Sequence, residues 1–395
     1  MSEHDSGLKP SKPAFWNDPK VRALFFQVLL IIGLGYFLMV IVDNTLANMR
    51  ARGITTGFAF LDEPAGFGIL QTLIPYTEAD TYGRTFIVGL LNTLLVSGLG
   101  ILFATIVGFI MGVARLSRNW LIAKLAALYI ETFRNVPLLL QIFFWYFAVL
   151  GALPGVRQSL DLGFGIQFNN RGLYLPEPIP ESGFNIVLWL VLIGFVVSRF
   201  VKRWARKRQD ETGQPFPVFL TTIGLTFGLP LIVFLLMGAP LHWSYPELKG
   251  FNFKGGMTII PELLSLLLAL TIYTGTFIAE TVRAGINSVS HGQTEAALAL
   301  GLTRTQTMRL VIIPQALRVI IPPLTSQYLN LTKNSSLATA VGYPDLVAVF
   351  MGTTLNQTGQ AVEITAMTMA VYLTISLTIS FFMNWYNKRV ALIER

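Results

Sequence analysis

The hydrophobic and polar positions of the chain alternate in long blocks, not at the short periods of a soluble helix or strand. Eight apolar stretches reach or approach the roughly 20 residues that an α-helix needs to cross a bilayer core. They cover residues 24–42, 86–114, 121–150, 184–200, 218–237, 260–282, 311–331 and 362–386. The pattern predicts an all-α integral membrane protein with about eight transmembrane helices.

Two of these stretches contain residues that are unusual in a transmembrane helix. The third contains Glu131, Arg134 and Pro137, and the seventh contains three prolines, the first of which is Pro314. Charge inside a bilayer is costly and usually functional, and proline interrupts the helical hydrogen-bond ladder. Pro314 is expected either in the first turn of a new span or at a kink in a continuing helix.

Composition supports a membrane protein and limits the chemistry of the chain. Charged residues make up 13% of the 395 residues, against about 25% in soluble domains. There is no cysteine, and the three histidines, His4, His242 and His291, are scattered, so neither a metal site nor another cofactor is expected. The first apolar stretch is longer than a signal-peptide core and is interpreted as a retained span.

The net charge of +8 is distributed unevenly along the chain. With eight spans and an internal amino terminus, most of the 29 Lys and Arg residues lie on one side, which the positive-inside rule assigns to the cytoplasm. The densest run, KRWARKR at residues 202–208, directly follows the fourth stretch. The charge is therefore interpreted as a topology signal, and nucleic acid is not an expected partner.

The cytoplasmic segment that joins the sixth and seventh stretches predicts two short helices separated by a glycine turn. Ser290 and Gln293 have the S-x-x-Q spacing of a capping box, and Thr303 and Gln306 repeat it. Gly301 suits the position after a helix end that requires a positive φ. The first helix is rich in alanine and slim enough to lie in a groove on a partner protein. An ordinary cytoplasmic loop is the alternative interpretation.

This segment resembles the EAA loop of ABC importer permeases. Glu295, Ala296 and Ala297 are followed after three residues by Gly301, and after nine more by V-I-I-P, which ends at Pro314. The family pattern ends in I-x-L-P, so the spacing matches and two apolar residues are exchanged. In that family the loop is the coupling helix that docks into the ATP-binding subunit, and the resemblance implies that role for these five residues.

Further segments resemble the core helices of polar amino-acid permeases. YIETFRNVPLLLQIFFWYF at residues 129–147 resembles their second core helix, and LNLTKNSSLATAVGYPDL at residues 329–346 resembles the segment after their fourth. The resemblance implies a five-helix MetI-like ABC importer core. With three added spans, the chain is similar to one permease subunit of the general L-amino-acid (Aap/Bzt-type) transporters.

The resemblance also implies how the chain is divided. Residues 1–83 would form an amino-terminal tail, the first transmembrane helix and an outer loop. Residues 84–387 would form the permease transmembrane domain, interrupted by an added two-helix insertion at about 155–256. Residues 388–395 would form a cytoplasmic tail.

Partners and location follow from the same resemblance. Such a permease assembles with a dimer of ATP-binding subunits, a second and here different permease subunit, and a periplasmic amino-acid-binding protein, in contact with membrane lipid. The sequence lacks a G-x-x-x-x-G-K-[ST] phosphate loop, so ATP hydrolysis is expected in a separate subunit and the chain is not expected to be an enzyme. The implied location is the bacterial inner membrane, with both termini in the cytoplasm.

Two Glu-x-x-Arg pairs lie in the third and sixth stretches. Glu131 and Arg134 are neighbours on one helix face, and Glu280 and Arg283 repeat the spacing near the inner end of the sixth stretch. Pairs on neighbouring core helices could exchange partners across the pathway. One hypothesis is an inner gate or a tie between the core and the loop, and the alternative is mutual neutralisation at the membrane interface.

Four further polar residues are candidates for lining the pathway. Gln141, Tyr273 and Asn330 lie in core stretches, where they would contact the charged ends of an amino acid or form hydrogen bonds between helices. Lys333 begins a polar cluster, K-N-S-S at residues 333–336. The resemblance marks this cluster as a family feature without giving it a role.

Small residues recur every four positions in the second stretch, at Ala104, Gly108 and Gly112. Small residues at this spacing let transmembrane helices approach closely. The row therefore predicts helix packing, either inside the subunit or against a second permease.

Two other classes of membrane protein remain open. An ion-coupled secondary amino-acid transporter also uses many spans and broken helices, but the chain has no clear inverted repeat and the EAA-like loop would be unexplained. A membrane-embedded enzyme would need carboxylates or histidines clustered near one membrane face, whereas the acidic residues are scattered.

Overall fold

Helices account for most of the described chain, which comprises residues 19–51 and 56–390 of a computed structural model. Residues 1–18 of the predicted amino-terminal tail, residues 52–55 of the predicted outer loop and residues 391–395 of the predicted cytoplasmic tail lie outside the described residues. The α-helices are α1 (Pro19–Ala51), α2 (Tyr82–Arg115), α3 (Trp120–Asn135), α4 (Leu138–Phe143), α5 (Phe184–Thr212), α6 (Val218–Ile223), α7 (Leu229–Leu236), α8 (Pro261–Asn287), α9 (His291–Ala299), α10 (Arg304–Thr307), α11 (Ile313–Asn334), α12 (Leu355–Thr358) and α13 (Ala361–Val390).

Short π-helical and 3₁₀ segments connect or extend these helices. The π-helical segments are Phe144–Leu150, Gly224–Gly228, Met308–Ile312 and Val347–Thr354. The 3₁₀ segments are Ala59–Asp62, Val156–Gln158 and Ser335–Val341. As a result α6 and α7 form one apolar helix, and another helix runs without a break from Arg304 to Val341.

Seven helices of the described chain are long and apolar enough to cross a membrane, and a bent helix pair makes eight if it is counted as one span. The seven correspond to seven of the predicted stretches, and the bent pair corresponds to the third stretch. The prediction of a helical membrane protein with about eight spans is confirmed. Short β-strands occur in addition, within the loops around α5 to α7.

The third predicted stretch is broken and is not one continuous helix. α3 meets the helix from Leu138 to Leu150 at an angle of 107°. Pro137 lacks a backbone N–H and pushes the residue before it into an extended conformation, and Val136 has φ −95° and ψ 129°. The Gln141 side-chain amide closes the break, donating to the carbonyl oxygens of Phe133 at 2.8 Å and Val136 at 2.9 Å.

The helix through Pro314 continues and does not start anew. A π-helical segment, Met308–Ile312, directly precedes α11 and belongs to the same 38-residue helix. Proline cannot donate to the helical ladder, and a π-helical turn is a place where that ladder is already rearranged. Of the two predicted positions for Pro314, the structure therefore shows a proline within a continuing helix.

Short strands form within the two loops that flank α5 to α7. β1 (Leu160–Asp161), β2 (Gln167–Asn169), β3 (Gly172–Leu175) and β8 (Met257–Ile259) form an antiparallel sheet, β4 (Glu177–Pro180) pairs with β5 (Leu241–Ser244), and β6 (Glu247–Lys249) pairs with β7 (Asn252–Lys254). The β3–β8 and β4–β5 pairs join the segment before α5 to the segment after α7. α5 and the helix formed by α6 and α7 make a helical hairpin, and these backbone hydrogen bonds join the two ends of the chain at its base.

α2 and α8 approach each other through small residues. A Cβ atom added at Gly108 would lie 2.5 Å from the Ile278 side chain, and one at Gly112 would lie 2.6 Å from the Ala279 carbonyl oxygen. Ala104, in the same row, is fully buried. The predicted row of small residues therefore packs inside the subunit, where it permits close van der Waals contact.

The apolar core lies along this contact and extends to α11. Fully or almost fully buried members include Val96, Leu266, Leu270, Val282, Ile320 and Leu331. A second, smaller cluster joins the segment before α2 to the segment before α13, and contains Phe60, Tyr82, Leu346, Phe350 and Ile364. In contrast, most apolar side chains of α1 and α5 are exposed, as expected for surfaces that face lipid.

The α2–α8 contact predicts a specific sensitivity to one added methyl group. Gly112→Ala should lower the free energy of unfolding by about 1–3 kcal/mol, as overpacking does in other cores. The new Cβ would lie 2.6 Å from a backbone oxygen and 2.8 Å from the Val282 side chain, and neither can move away freely. Thermal unfolding of the detergent-solubilised protein should show a lower Tm.

Gly98→Ala is the matched control, because Gly98 lies on the same helix with no atom within 4 Å of its Cβ position. Alanine has the higher helix propensity, so the Tm of this variant should stay unchanged or rise. An equal loss of Tm in both variants would contradict a specific α2–α8 approach.

Candidate functional site

α9 ends in a glycine turn of the Schellman type. The Leu302 N–H donates to the Ala297 carbonyl at 3.2 Å, and the Gly301 N–H donates to the Leu298 carbonyl at 3.0 Å. Gly301 has a φ of 78°, a conformation that costs a residue with a Cβ about 1–2 kcal/mol. The predicted positive φ at Gly301 is confirmed.

One of the two predicted capping boxes forms. The Gln306 N–H donates to Thr303 Oγ1 at 3.4 Å, and the Thr303 N–H donates to Gln306 Oε1 at 2.8 Å. α9 begins after Ser290 as predicted, but the Ser290 hydroxyl makes no cap hydrogen bond. The predicted Ser290–Gln293 box is wrong, because Gln293 Oε1 accepts from the Gln315 side chain at 3.2 Å and so faces α11.

The outward face of this loop carries an apolar patch. Ala297 is buried against the rest of the chain, whereas Glu295 and Ala296 are exposed. Leu298 is 44% exposed and Leu300 is 82% exposed. Two exposed leucines beside an alanine, with a carboxylate at the edge, form an apolar patch with a polar rim, which is typical of interaction sites.

Close packing joins the loop to the core. α8 leads into α9 through a turn of three residues, and the Gln293–Gln315 hydrogen bond ties α9 to α11. A Cβ atom added at Gly285 on α8 would lie 2.3 Å from Ile320 on α11, so these two helices also touch closely. The loop is therefore held by two core helices at once.

Five charged side chains form a cluster where α2, α3 and α8 meet, here called the charged cluster. Arg115 Nη2 lies 3.3 Å from Glu131 Oε1. Glu280 and Arg283 form an ion pair in which the guanidinium Nε lies 3.1 Å from each carboxylate oxygen. The positive charges of Arg134 and Arg115 also act on the Glu280 carboxylate.

The predicted pair between Glu131 and Arg134 does not form. A short turn joins α2 to α3 and brings Arg115 beside Glu131, so the carboxylate pairs with the neighbouring helix and not along its own. The predicted Glu280–Arg283 pair is confirmed. Three arginines and two glutamates thus lie at one end of α2, α3 and α8. This arrangement is compatible both with an inner gate and with mutual neutralisation of the charges at the membrane interface.

The three polar residues predicted inside core spans occupy different environments. Gln141 is buried, and its amide group satisfies the backbone at the break between α3 and α4. Tyr273 is half-buried, with its ring centroid 5.0 Å from that of Phe277. Asn330 is exposed on α11. Gln141 therefore stabilises the backbone at the helix break. Roles for Tyr273 and Asn330 in lining the pathway stay predictions.

Lys333 lies at a shallow cavity of about 390 Å³ that is open to the surface between the end of α11 and α13. The other lining residues are Ser336, Val347, Met351, Thr368, Met369 and Tyr372. A single cation with nearby hydroxyl groups on an apolar wall suits a small solute that carries a carboxylate. The structure thus places Lys333, unlike Gln141, at a surface that can receive a ligand.

Sequence reasoning missed a buried acid next to this cavity. Asp345 is fully buried, its Oδ1 accepts from the Ala348 N–H at 2.8 Å, and the Tyr372 hydroxyl lies 3.4 Å from its Oδ2. Tyr372 also lines the cavity at Lys333, so it connects Asp345 to that cavity. The signal that could have found Asp345 is its place as a lone acid in the largely apolar sequence YPDLVAVF.

The fold and these sites define a polytopic helical membrane protein with an exposed loop between two core helices. A family model described as "Binding-protein-dependent transport system inner membrane component" matches residues 104–392. The chain belongs to this family and is a permease component of an ABC transport system.

Relatives match the chain over nearly its whole length. It is 57% identical to the putative amino-acid ABC transporter permease protein YhdX of Escherichia coli, over 100% of both chains. It is 53% identical to the general L-amino acid transport system permease protein AapQ of Rhizobium johnstonii, over 96% of this chain and 94% of the relative. It is 42% identical to the glutamate/glutamine/aspartate/asparagine transport system permease protein BztB of Rhodobacter capsulatus, over 96% of each.

The charged cluster predicts a salt-dependent loss of stability when one acid is removed. Glu280→Gln leaves Arg283 without its ion-pair partner and near Arg115 and Arg134. The cost should be about 1–2 kcal/mol, between the values for exposed and buried pairs. The Tm should fall at low ionic strength and recover partly in high salt, because salt screens the repulsion between the arginines.

Glu131→Gln is the matched control, since the Glu131 side chain is 66% exposed and its pair with Arg115 is more solvated. Its loss should cost less than about 1 kcal/mol. If Glu131→Gln lowered the Tm more than Glu280→Gln, Glu280 would not be the central acid of the cluster.

Proposed function

We propose that the chain is the membrane-spanning permease subunit of an ABC importer for L-amino acids, and that it couples to a separate ATPase through the loop around Glu295. The observation that carries the proposal is the exposed leucine patch on this loop, held in shape by the left-handed Gly301. The substrate class is supported by relatives whose names specify amino-acid transport.

The proposed assembly has three kinds of partner. A dimer of ATP-binding subunits supplies ATP hydrolysis, a second and different permease subunit completes the pathway, and a periplasmic binding protein delivers the amino acid. The complex would lie in the bacterial inner membrane. Both termini and the loop around Glu295 face the cytoplasm in this arrangement, because the basic residues concentrate on that side.

Coupling would work through the packing of the loop. Leu298 and Leu300 dock on the ATP-binding subunit, with Glu295 at the rim of the contact. Movement of α9 is passed to α11 through the Gln293–Gln315 hydrogen bond and to α8 through the chain itself. The core helices then shift as packed rigid bodies, as in other domain rearrangements.

The division of the chain follows the same proposal. Residues 84–387 form the permease domain, interrupted by the added hairpin with its strands at about 155–256. Residues 1–83 and 388–395 lie outside this domain. The strand pairs β3–β8 and β4–β5, which close the hairpin at its base, support the view that it is an insertion.

The Lys333 cavity is the proposed binding surface for the transported amino acid. The Lys333 ammonium group would pair with the substrate carboxylate. The hydroxyl oxygens of Ser336 and Tyr372, whose protons are donated within the protein, would accept hydrogen bonds from the substrate ammonium group. The charged cluster lies at one end of α2, α3 and α8 and would close the pathway there as a gate.

A co-purification experiment tests the coupling loop. Gly301→Asp should reduce recovery of the ATP-binding subunit with the tagged permease from gently solubilised native membranes by about tenfold. The substitution strains a turn with φ 78° and adds a carboxylate beside the leucine patch. The measurement is the amount of ATP-binding subunit per permease.

Gly213→Asp is the matched control. Gly213 has a φ of 70° and no atom within 4 Å of its Cβ position, as at Gly301, but it lies between α5 and α6. Recovery of the ATP-binding subunit should be unchanged in this variant. Equal recovery of the ATP-binding subunit with the Gly301→Asp variant and with the wild type would contradict the coupling role proposed for the loop around Glu295.

A second experiment tests the binding surface. Lys333→Gln should raise the half-saturating amino-acid concentration for uptake by about tenfold or more, since a hydrogen bond to a charged group contributes about 1.5–3 kcal/mol. Lys333→Arg keeps the charge and should retain most of the affinity. A similar loss in both variants would show that the shape of the lysine, and not its charge, matters at this position.

A further inference from the structure

The end of α5 forms a basic groove without an acidic partner. Four cations line it, Arg199, Lys202, Arg203 and Arg206. With Ala205, Gln209 and Val218 they line an open groove of about 470 Å³ between α5 and the start of α6. Within the described ranges, no carboxylate forms an ion pair with any of the four.

The groove results from helical spacing and one small residue. Arg199, Arg203 and Arg206 recur at intervals of four and three residues, which places them on one face of α5. Ala205 is buried at the side of the groove that adjoins Val218 at the start of α6. Arg199 and Arg203 lie over the rings of Phe195 and Phe200, each at 6.0 Å, and both still line the groove. Arg208 lies over Trp204 at 5.5 Å, donates to the Gln214 side chain, and is not among the residues that line the groove.

The apolar surface above the groove indicates what kind of anion would reach it. Phe195, Val196 and Phe200 are 53%, 46% and 61% exposed on the same helix. α5 packs on α6 and α7 and leaves this apolar face open. A long apolar face that ends in a ring of cations places those cations at the depth of lipid headgroups.

We propose that the basic groove binds the phosphate of an anionic phospholipid. The guanidinium groups of Arg203 and Arg206 match a phosphate oxygen pair in charge and geometry, and Lys202 adds a further positive charge. The acyl chains lie along the exposed apolar face of α5. A headgroup is favoured over a soluble anion because the groove is continuous with this lipid-facing surface.

Native mass spectrometry of the purified permease tests the site. The full-length protein is exchanged into mixed micelles that contain phosphatidylglycerol and phosphatidylcholine in equal amounts, and the lipids that remain bound are counted. The wild-type protein should retain phosphatidylglycerol selectively. Arg203→Gln/Arg206→Gln should weaken this retention by about 30-fold, because each basic residue near an anionic lipid contributes about fivefold.

Lys207→Gln/Arg208→Gln is the matched control, since it removes the same charge from the same helix but outside the groove lining. Selective retention should persist in this variant, and equal Tm values would show that both variants are folded. Equal loss in both variants, or equal retention of the two lipids by the wild type, overturns the proposal. Release of phosphatidylglycerol by inorganic phosphate at constant ionic strength would also overturn it, because the site would then recognise free phosphate.

Discussion

The close contact between α2 and α8 determines where the charged cluster and the loop around Glu295 lie. Apolar helices gain little from leaving lipid for each other, so their association depends on close fit. Gly108 and Gly112 provide that fit against the backbone of α8. Because α2 ends at Arg115 and α8 continues into the loop, the same contact brings Arg115 near Glu280 and fixes the direction in which α9 leaves the core.

A second constraint is that backbone groups at membrane depth need partners inside the protein. The break at Pro137 exposes carbonyl oxygens at the end of α3, and Gln141 satisfies two of them. A polar residue inside an apolar stretch can thus be required by the backbone and not by a substrate. Lys333 and Asp345 differ, because one lines an open cavity and the other is connected to it through Tyr372.

Sequence reasoning succeeds here where the requirement is local. The length of an apolar stretch predicts a transmembrane helix without any knowledge of its neighbours. A glycine directly after a predicted helix end, such as Gly301, predicts a backbone with positive φ. The break after α3 could not be read from hydropathy, because both halves are apolar. Likewise, spacing within one helix predicts the Glu280–Arg283 pair but not the Glu131–Arg115 pair, which depends on a neighbouring helix. Asp345 shows its significance only once burial is known.

The difference between local and tertiary requirements also applies to the proposed coupling between the loop and the core helices. A motif shows that a helix is short and ends in glycine, but its mechanical role depends on contacts across helices. The Gln293 side chain was expected to form a capping box with Ser290, but it accepts a hydrogen bond from Gln315 instead. This tertiary hydrogen bond ties α9 to α11. Gly285 leaves no free space against Ile320. In the proposed coupling, a push on the exposed leucines would move α8 and α11 together, because the interface between these helices is tightly packed.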